Sequence, residues 1–270
     1  GIGPLIAPAD NLPLTLSGTT DAEGTVHPLQ LTSTTHLDEI QYSSTSISDV
    51  LFHNTLTDQQ WLASLTVNDT DLQLQSDIKA DIASNTPLTI VSSSVVNCFK
   101  PRQLGITDRW GDASISANVQ LSYSKDNNHQ DMDMCLSRLH LTGEDIPSYS
   151  ADSLHLCYVS DPTSRNELRI CGSIADGQVT SNGPLTDIPS ILLSCVSHHL
   201  PILQKYSDRS VKNRTADFSL TLKDSTFLSS VIGIPLRLYE PIEINGSADA
   251  ANNNISITAW MPHFSFNDTE

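Results

Sequence analysis

Three arrangements in the sequence hold the residue types that do chemistry. His198 and His199 are adjacent, Asp131 and Asp133 flank Met132, and five cysteines stand at Cys98, Cys135, Cys157, Cys171 and Cys195. Imidazoles can chelate a metal, paired carboxylates can hold a hard cation, and thiols can bind metal or pair with each other. The spacings argue for plainer roles. Neighbouring residues on a helix point about 100° apart, so His198 and His199 do not reach one ion from one face. Alternate carboxylates beside a polar loop are ordinary solvated strand residues, and the glycine and distant Glu of a calcium loop are missing. The cysteines show no C-x-x-C step and no Cys/His zinc spacing. An odd number also excludes a complete disulfide framework. If Ser160 to Asn166 closes a hairpin, Cys157 and Cys171 fall roughly opposite each other on its polar face. A cross-strand disulfide is one reading of that pair, and two separate small residues is the other.

Catalytic signatures are missing too. No Gly-x-Ser-x-Gly elbow, Walker loop or dinucleotide fingerprint occurs, and nothing singles out one pair among the 31 Asp and Glu. Five Asn-x-Ser/Thr triplets, at Asn68, Asn213, Asn245, Asn254 and Asn267, read as turn residues in a chain rich in Asn, Ser and Thr. The expectation is a protein that is not an enzyme and takes no metal or cofactor. Its surface then has to carry the function.

What would hold these side chains is a sheet. Leu12, Leu14 and Leu16 alternate up to Gly18, and after an Asp21-Ala22-Glu23-Gly24 turn Leu29 and Leu31 follow, which predicts an opening hairpin. Strands are expected at Ser46 to Leu56, Trp61 to Val67, Asp71 to Ile82 and Leu88 to Val96. Their turns, Thr57-Asp58-Gln59-Gln60 and Asn68-Asp69-Thr70, are made of residues that bond their own backbone. Ile115 to Tyr123 and Met132 to Leu141 form the next pair. Leu154 to Tyr158 and Leu168 to Ile174 alternate again, and Ala216 to Leu222, Leu236 to Leu238, Ile242 to Ala248 and Ile255 to Met261 complete the series. Residues 42–82 and 149–188 repeat the same unit, Tyr-Ser followed by three strands, as in a stackable sheet.

The period turns helical from Leu185. Ile188, Ile191, Leu192, Cys195, Val196, His199, Leu200 and Leu203 share one face of an amphipathic helix around 186–206. Thr186 or Asp187 can cap its start, Pro189 fits its first turn, and Pro201 ends or kinks it. Short helices are expected near 99–105, ended by Gly105, and near 225–232, capped by Ser225.

The 270 residues carry 14 Lys and Arg against 31 Asp and Glu, a net charge of −17. Such a field repels nucleic acid and gives no basic patch for an anionic membrane. No run of about 18 apolar residues occurs, so no transmembrane helix is expected in this segment. The chain starts at Gly1 without Met or a signal-peptide pattern, and it reads as a piece of something longer.

Several short stretches, taken in order, carry a resemblance. They are Phe99-Lys100-Pro101-Arg102-Gln103-Leu104-Gly105-Ile106, the strand from Ser114 to Tyr123, and Ala151-Asp152-Ser153-Leu154-His155-Leu156. Ala216-Asp217-Phe218-Ser219-Leu220, Pro241-Ile242-Glu243-Ile244-Asn245-Gly246 and Ile255-Ser256-Ile257-Thr258-Ala259-Trp260-Met261-Pro262 follow. The chain resembles, from about residue 12 onward, the periplasmic repeat region of TamB-type translocation and assembly proteins of the AsmA-like superfamily, in the form found in Bacteroidetes. The resemblance implies an all-β fold with minor helix, in which an elongated curled antiparallel sheet (a β-taco) encloses an apolar groove running over residues 1–270. It implies a cell-envelope protein of the periplasm, anchored in the inner membrane when complete. Such a protein moves phospholipid between the membranes and serves outer-membrane biogenesis, with a BamA-like or TamA-like barrel as partner. Acyl chains would lie in the groove against Leu72, Leu74, Ile115, Val119 and Leu121, then Leu154, Leu156, Leu168 and Ile170, and lastly Phe218, Leu220, Ile255 and Ile257. A structural or adhesive β-rich module that carries no lipid is the other reading.

Overall fold

A computed structural model describes residues 14–43, 45–84, 86–108, 110–126, 129–143, 148–161, 165–199, 211–232 and 236–266. The alternating pattern produces strands throughout. They are β1 (Leu14–Thr25), β2 (Gln30–Tyr42), β3 (Thr45–Thr57), β4 (Gln60–Asn68), β5 (Leu72–Asp81), β6 (Leu88–Phe99), β7 (Ser114–Lys125) and β8 (Gln130–Thr142). After them come β9 (Tyr149–Ser160), β10 (Asn166–Gly172), β11 (Ala175–Ser181), β12 (Thr215–Leu222), β13 (Leu236–Leu238), β14 (Ile242–Asp249), β15 (Asn254–Trp260) and β16 (Phe264–Phe266). Fourteen strands form one antiparallel sheet in chain order, β1 to β12 and then β14 and β15, while β13 pairs with β16. The chain divides into two compact units, Gly1–Ser124 with Leu136–Ala151, and Lys125–Cys135 with Asp152–Glu270. Both repeat segments are three-stranded meanders, β3 to β5 and β9 to β11.

In the first unit β1 to β6 pair strand by strand, and cross-strand neighbours share a face. Phe52, Leu65, Ser76 and Ser94 make one rung, and Asn54, Ala63, Ile78 and Ser92 make the next. Val50, Ala63, Val67, Ser76 and Ala80 are buried on this face. Gln75, Asp77 and Lys79 stand on the other, together with the exposed Leu62, Val91 and Val95.

The opening hairpin forms, but its turn is not Asp21 to Gly24. Those residues pair with Thr34 to Leu31 inside β1 and β2, and the chain reverses at residues 26–29. Here both faces are exposed, so no buried alternation sets the turn position. Leu12 lies outside the described residues. The helix expected near 99–105 is also corrected. Phe99 belongs to β6, and residues 101–105 form overlapping turns with bonds from Leu104 N to Lys100 O (3.1 Å) and from Gly105 N to Arg102 O (3.0 Å). Pro101 removes a donor there, and Gly105 at φ +68° ends the run as expected. Lys100 Nζ reaches Asp71 Oδ1 at 2.9 Å, so this stretch ties its loop to the start of β5.

The β4–β5 turn holds a buried carboxylate. Asp69 Oδ2 accepts from the Ser48 amide (2.9 Å) and hydroxyl (2.6 Å), and Oδ1 accepts from the Asp71 amide (2.8 Å). Burial works against the charge, but the bonds from Ser48, Asp71 and Leu72 outweigh it and hold the carboxyl below its ordinary 3.8. Asp69→Asn loses acceptor capacity at a buried site and costs the first unit about 1–3 kcal/mol. With a lowered folded value, the contribution of Asp69 is complete above the ordinary value and disappears as pH falls through the folded one. Urea midpoints measured downward from pH 6 should therefore drop below about pH 4 in the wild type and less steeply in Asp69→Asn.

In the second unit a 3₁₀ turn at Leu185–Asp187 leads into helix α1 (Ile188–His199). No side chain caps that turn; the Asp187 carboxylate lies 3.8 Å from Arg214 Nε instead. Ile191 and Cys195 are fully buried, as the helical period predicts, but Ser194 and Ser197 are buried beside them. The buried stripe is thus rotated toward the serines, and the Ser197 hydroxyl is satisfied by the Ser194 carbonyl at 2.9 Å. Leu200, Pro201 and Leu203 lie outside the described residues. The second short helix is present, helical from Ser225 and π-type over Phe227–Ile232, but its start is capped by Asp224, whose Oδ1 accepts from the Thr226 amide at 2.8 Å, and not by Ser225.

Candidate functional site

The registers of the second unit build an apolar face rung by rung. Tyr158, Leu168, Val179, Phe218, Gly246 and Ile257 are consecutive cross-strand partners on β9, β10, β11, β12, β14 and β15. Leu156, Ile170, Gly177, Leu220, Ile244 and Ala259 form the parallel rung two residues along. Six strands at about 4.8 Å spacing make each rung roughly 24 Å long. Leu154, Leu156, Leu168, Ile170, Phe218, Leu220, Ile255 and Ile257, expected from the sequence to line one surface, therefore do share one face. Leu72 and Leu74 lie on β5 and Ile115, Val119 and Leu121 at alternate positions of β7, in the first unit.

Twelve of those thirteen side chains are half-buried, Ile257 is 56% exposed, and none is in the buried class. The buried positions on these strands are held by Ala63, Ala80, Ala117, Ala175, Ala216 and Ala248, together with Val50, Val67 and Ile242. A filled core puts its largest aliphatics inside. Here Leu141, Ile174, Ile191 and Ile242 are inside, and the thirteen side chains expected to line the face keep accessible apolar surface.

Glycine shapes the same face. A Cβ at Gly246 would run into the ring of Phe218, which lies over the Gly246 backbone from the neighbouring strand. Helix α1 closes the next rung. Ile191 and Cys195 pack with Val211, Ala216, Ala248 and Ala250, with Ile188, Leu192 and Ile255 at the margin. Ala216, Ala248 and Ile255 are cross-strand partners one rung beyond Phe218. The small side chains of Ala216 and Ala248 let the helix sit close, so it caps one end of the face and leaves the two rungs described above alongside.

The opposite face holds titratable groups that the sequence did not bring together. Asp133 on β8 meets His155 and Cys157 on β9, with His155 Nε2 to Asp133 Oδ1 at 2.8 Å and Cys157 Sγ to Asp133 Oδ2 at 3.4 Å. The His155 bond leads in lowering Asp133, while burial and the Asp133 charge push the Cys157 thiol up. Neighbouring Asp131 pairs with His129 Nε2 at 2.9 Å. Cys157 and Cys171 are both free: Cys157 faces Arg169 and Cys171 faces His155, a diagonal step with no bond. Alternating His155 and Cys157 on the polar side of a strand was the available sequence signal, but the Asp133 contact spans 22 residues and needs the register.

In the first unit a groove of about 480 Å³ opens on the polar face, lined by His53, Thr55, Leu62, Asp77, Lys79 and Val91 among others. No described helix is long and apolar enough to cross a membrane. Compared with known proteins, the chain matches no family model, no curated protein and no solved structure.

Proposed function

We propose that this chain is a segment of an envelope bridge that carries phospholipid acyl chains along its apolar sheet face. One observation carries the reading: the Leu, Ile, Val, Phe and Tyr side chains of two rungs, each six strands wide, keep accessible apolar surface, and the rung next to them is lined by the buried Ala216 and Ala248. Removing each CH₂ from water is worth about 0.8 kcal/mol, so a chain of ordinary length is held without any polar contact. Along a rung the surface repeats every strand, which lets such a chain slide with small barriers. The headgroup stays at the open side. The resemblance to TamB-type, AsmA-like proteins supports the same reading. It adds the periplasm as compartment, an inner-membrane anchor in the complete protein, phospholipid as cargo, and a BamA-like or TamA-like barrel as partner through parts outside this chain.

The test is lipid capture. Organic extraction of the chain purified from a bacterial envelope should release co-purifying phospholipid. A photo-crosslinker at Leu156 or Leu168 should capture lipid in cells, and one at Glu243 on the polar face should not. Absence of lipid in both assays overturns the proposal. The groove on the polar face of the first unit favours a second reading, a module that binds protein or glycan. That reading gains if a crosslinker at Leu62 captures a macromolecule while Leu156 captures no lipid.

A further inference from the structure

The Asp133–His155–Cys157 cluster has no part in carrying acyl chains, because it lies on the opposite face of the sheet from Leu156 and Leu168. We infer that it is a zinc site, with one carboxylate, one imidazole and one thiolate as ligands and a solvent water completing the shell. The donor atoms lie within 4.8 Å of one another. Ligands on a tetrahedral zinc, at about 2.0–2.3 Å from the metal, are separated from one another by roughly 3.3–3.8 Å. The structure gives 2.8 Å from His155 Nε2 to Asp133 Oδ1, 3.4 Å from Cys157 Sγ to Asp133 Oδ2 and 3.9 Å from Cys157 Sγ to His155 Nε2. Asp133 meets His155 through Oδ1 and Cys157 through Oδ2, so a rotation of its carboxylate with small side-chain adjustments brings one oxygen, the imidazole nitrogen and the thiol onto one ion.

The backbone already does most of the positioning. His155 and Cys157 are two apart on one strand, so both project to the same face. Asp133 comes from β8, also within the second unit, so an ion here clamps two strands together. The donor set selects the metal. Thiolate and imidazole suit zinc and its neighbours in the transition series, while calcium and magnesium demand oxygen alone. Nearby charge is also permissive. Arg169 stands across from Cys157, but its guanidinium is paired with Glu167, and Asp131, two residues before Asp133 on β8, is paired with His129.

The test uses the whole chain and two probes, Zn²⁺ titrated against a chromophoric chelator and Co²⁺ read by absorbance. Expected are one tight zinc per chain and, with cobalt, a sulfur-to-metal charge-transfer band from a single thiolate. Cys157→Ser should abolish that band, and Cys157→Ser, His155→Gln or Asp133→Asn should each weaken zinc binding by at least about 10–100-fold. Cys98→Ser, in the first unit, should change neither readout. Circular dichroism of each metal-free variant shows whether the fold is kept. Failure of zinc to bind the folded wild type overturns the inference, and so does a charge-transfer band that survives Cys157→Ser. Lipid extraction is unaffected by either result, so this inference and the acyl-chain proposal fail separately.

Discussion

Replacing Ile191 by alanine lowers the stability of the second unit by about 2–5 kcal/mol. Ile191 is fully buried at the centre of the packing between α1 and the sheet, among Cys195, Val211, Ala216, Ala248 and Ala250. Three of those neighbours are alanines, which have no side-chain reach with which to fill the space left behind. The cavity therefore persists, and the cost belongs in the upper part of the range. Urea unfolding reads it directly, as a lower midpoint at unchanged slope. A midpoint within error of the wild type would mean that α1 is not seated on the alanine rung. Leu192 lies at the margin of the same cluster, so Leu192→Ala should cost clearly less.

Gly246→Ala is the second large effect. The added Cβ meets the Phe218 ring, and the ring has to leave its place over the β14 backbone or push the strand away. Overpacking of this kind costs about 1–3 kcal/mol. Removing the obstacle removes the cost, so in a Phe218→Ala background the same replacement should be nearly free. The interaction energy from the four proteins of that cycle, measured by urea unfolding, is the test. Additive effects would show that Phe218 does not cover Gly246.

The sheet was legible in the sequence because one face of it is apolar and the other polar. Leu72, Leu74 and Ile78 alternate with Gln73, Gln75 and Asp77, and no other element has that period. Where neither face is buried, as from Asp21 to Gly24, local turn residues misled the reading, since nothing penalises a shifted turn. The helix period likewise gave α1, but not which flank of it would be buried. Ser194 and Ser197 can be inside because the wall they meet is alanine and their hydroxyls can bond within the helix. Of the candidate sites, the apolar face was readable from strand parity alone. The Asp133 cluster was not, because a two-residue spacing on β9 says nothing about which strand arrives next to it. Asp131-Met132-Asp133 looked like solvated carboxylates for the same reason.

Within each unit most ladders join strands that are neighbours in the chain; the departures are β12 with β14, across β13, and β13 with β16, across β14 and β15. Most loop closure is then made in short steps, one hairpin at a time, the long connection from Ser181 to Thr215 that carries α1 excepted. Such a meander can form as it leaves the ribosome, each new strand using the last as its template. Under tension it would also come apart differently from a sandwich with interleaved strands: it unzips strand by strand from an edge in many small steps, with no single clamp to rupture. Its extension under load would therefore be graded and not all-or-none.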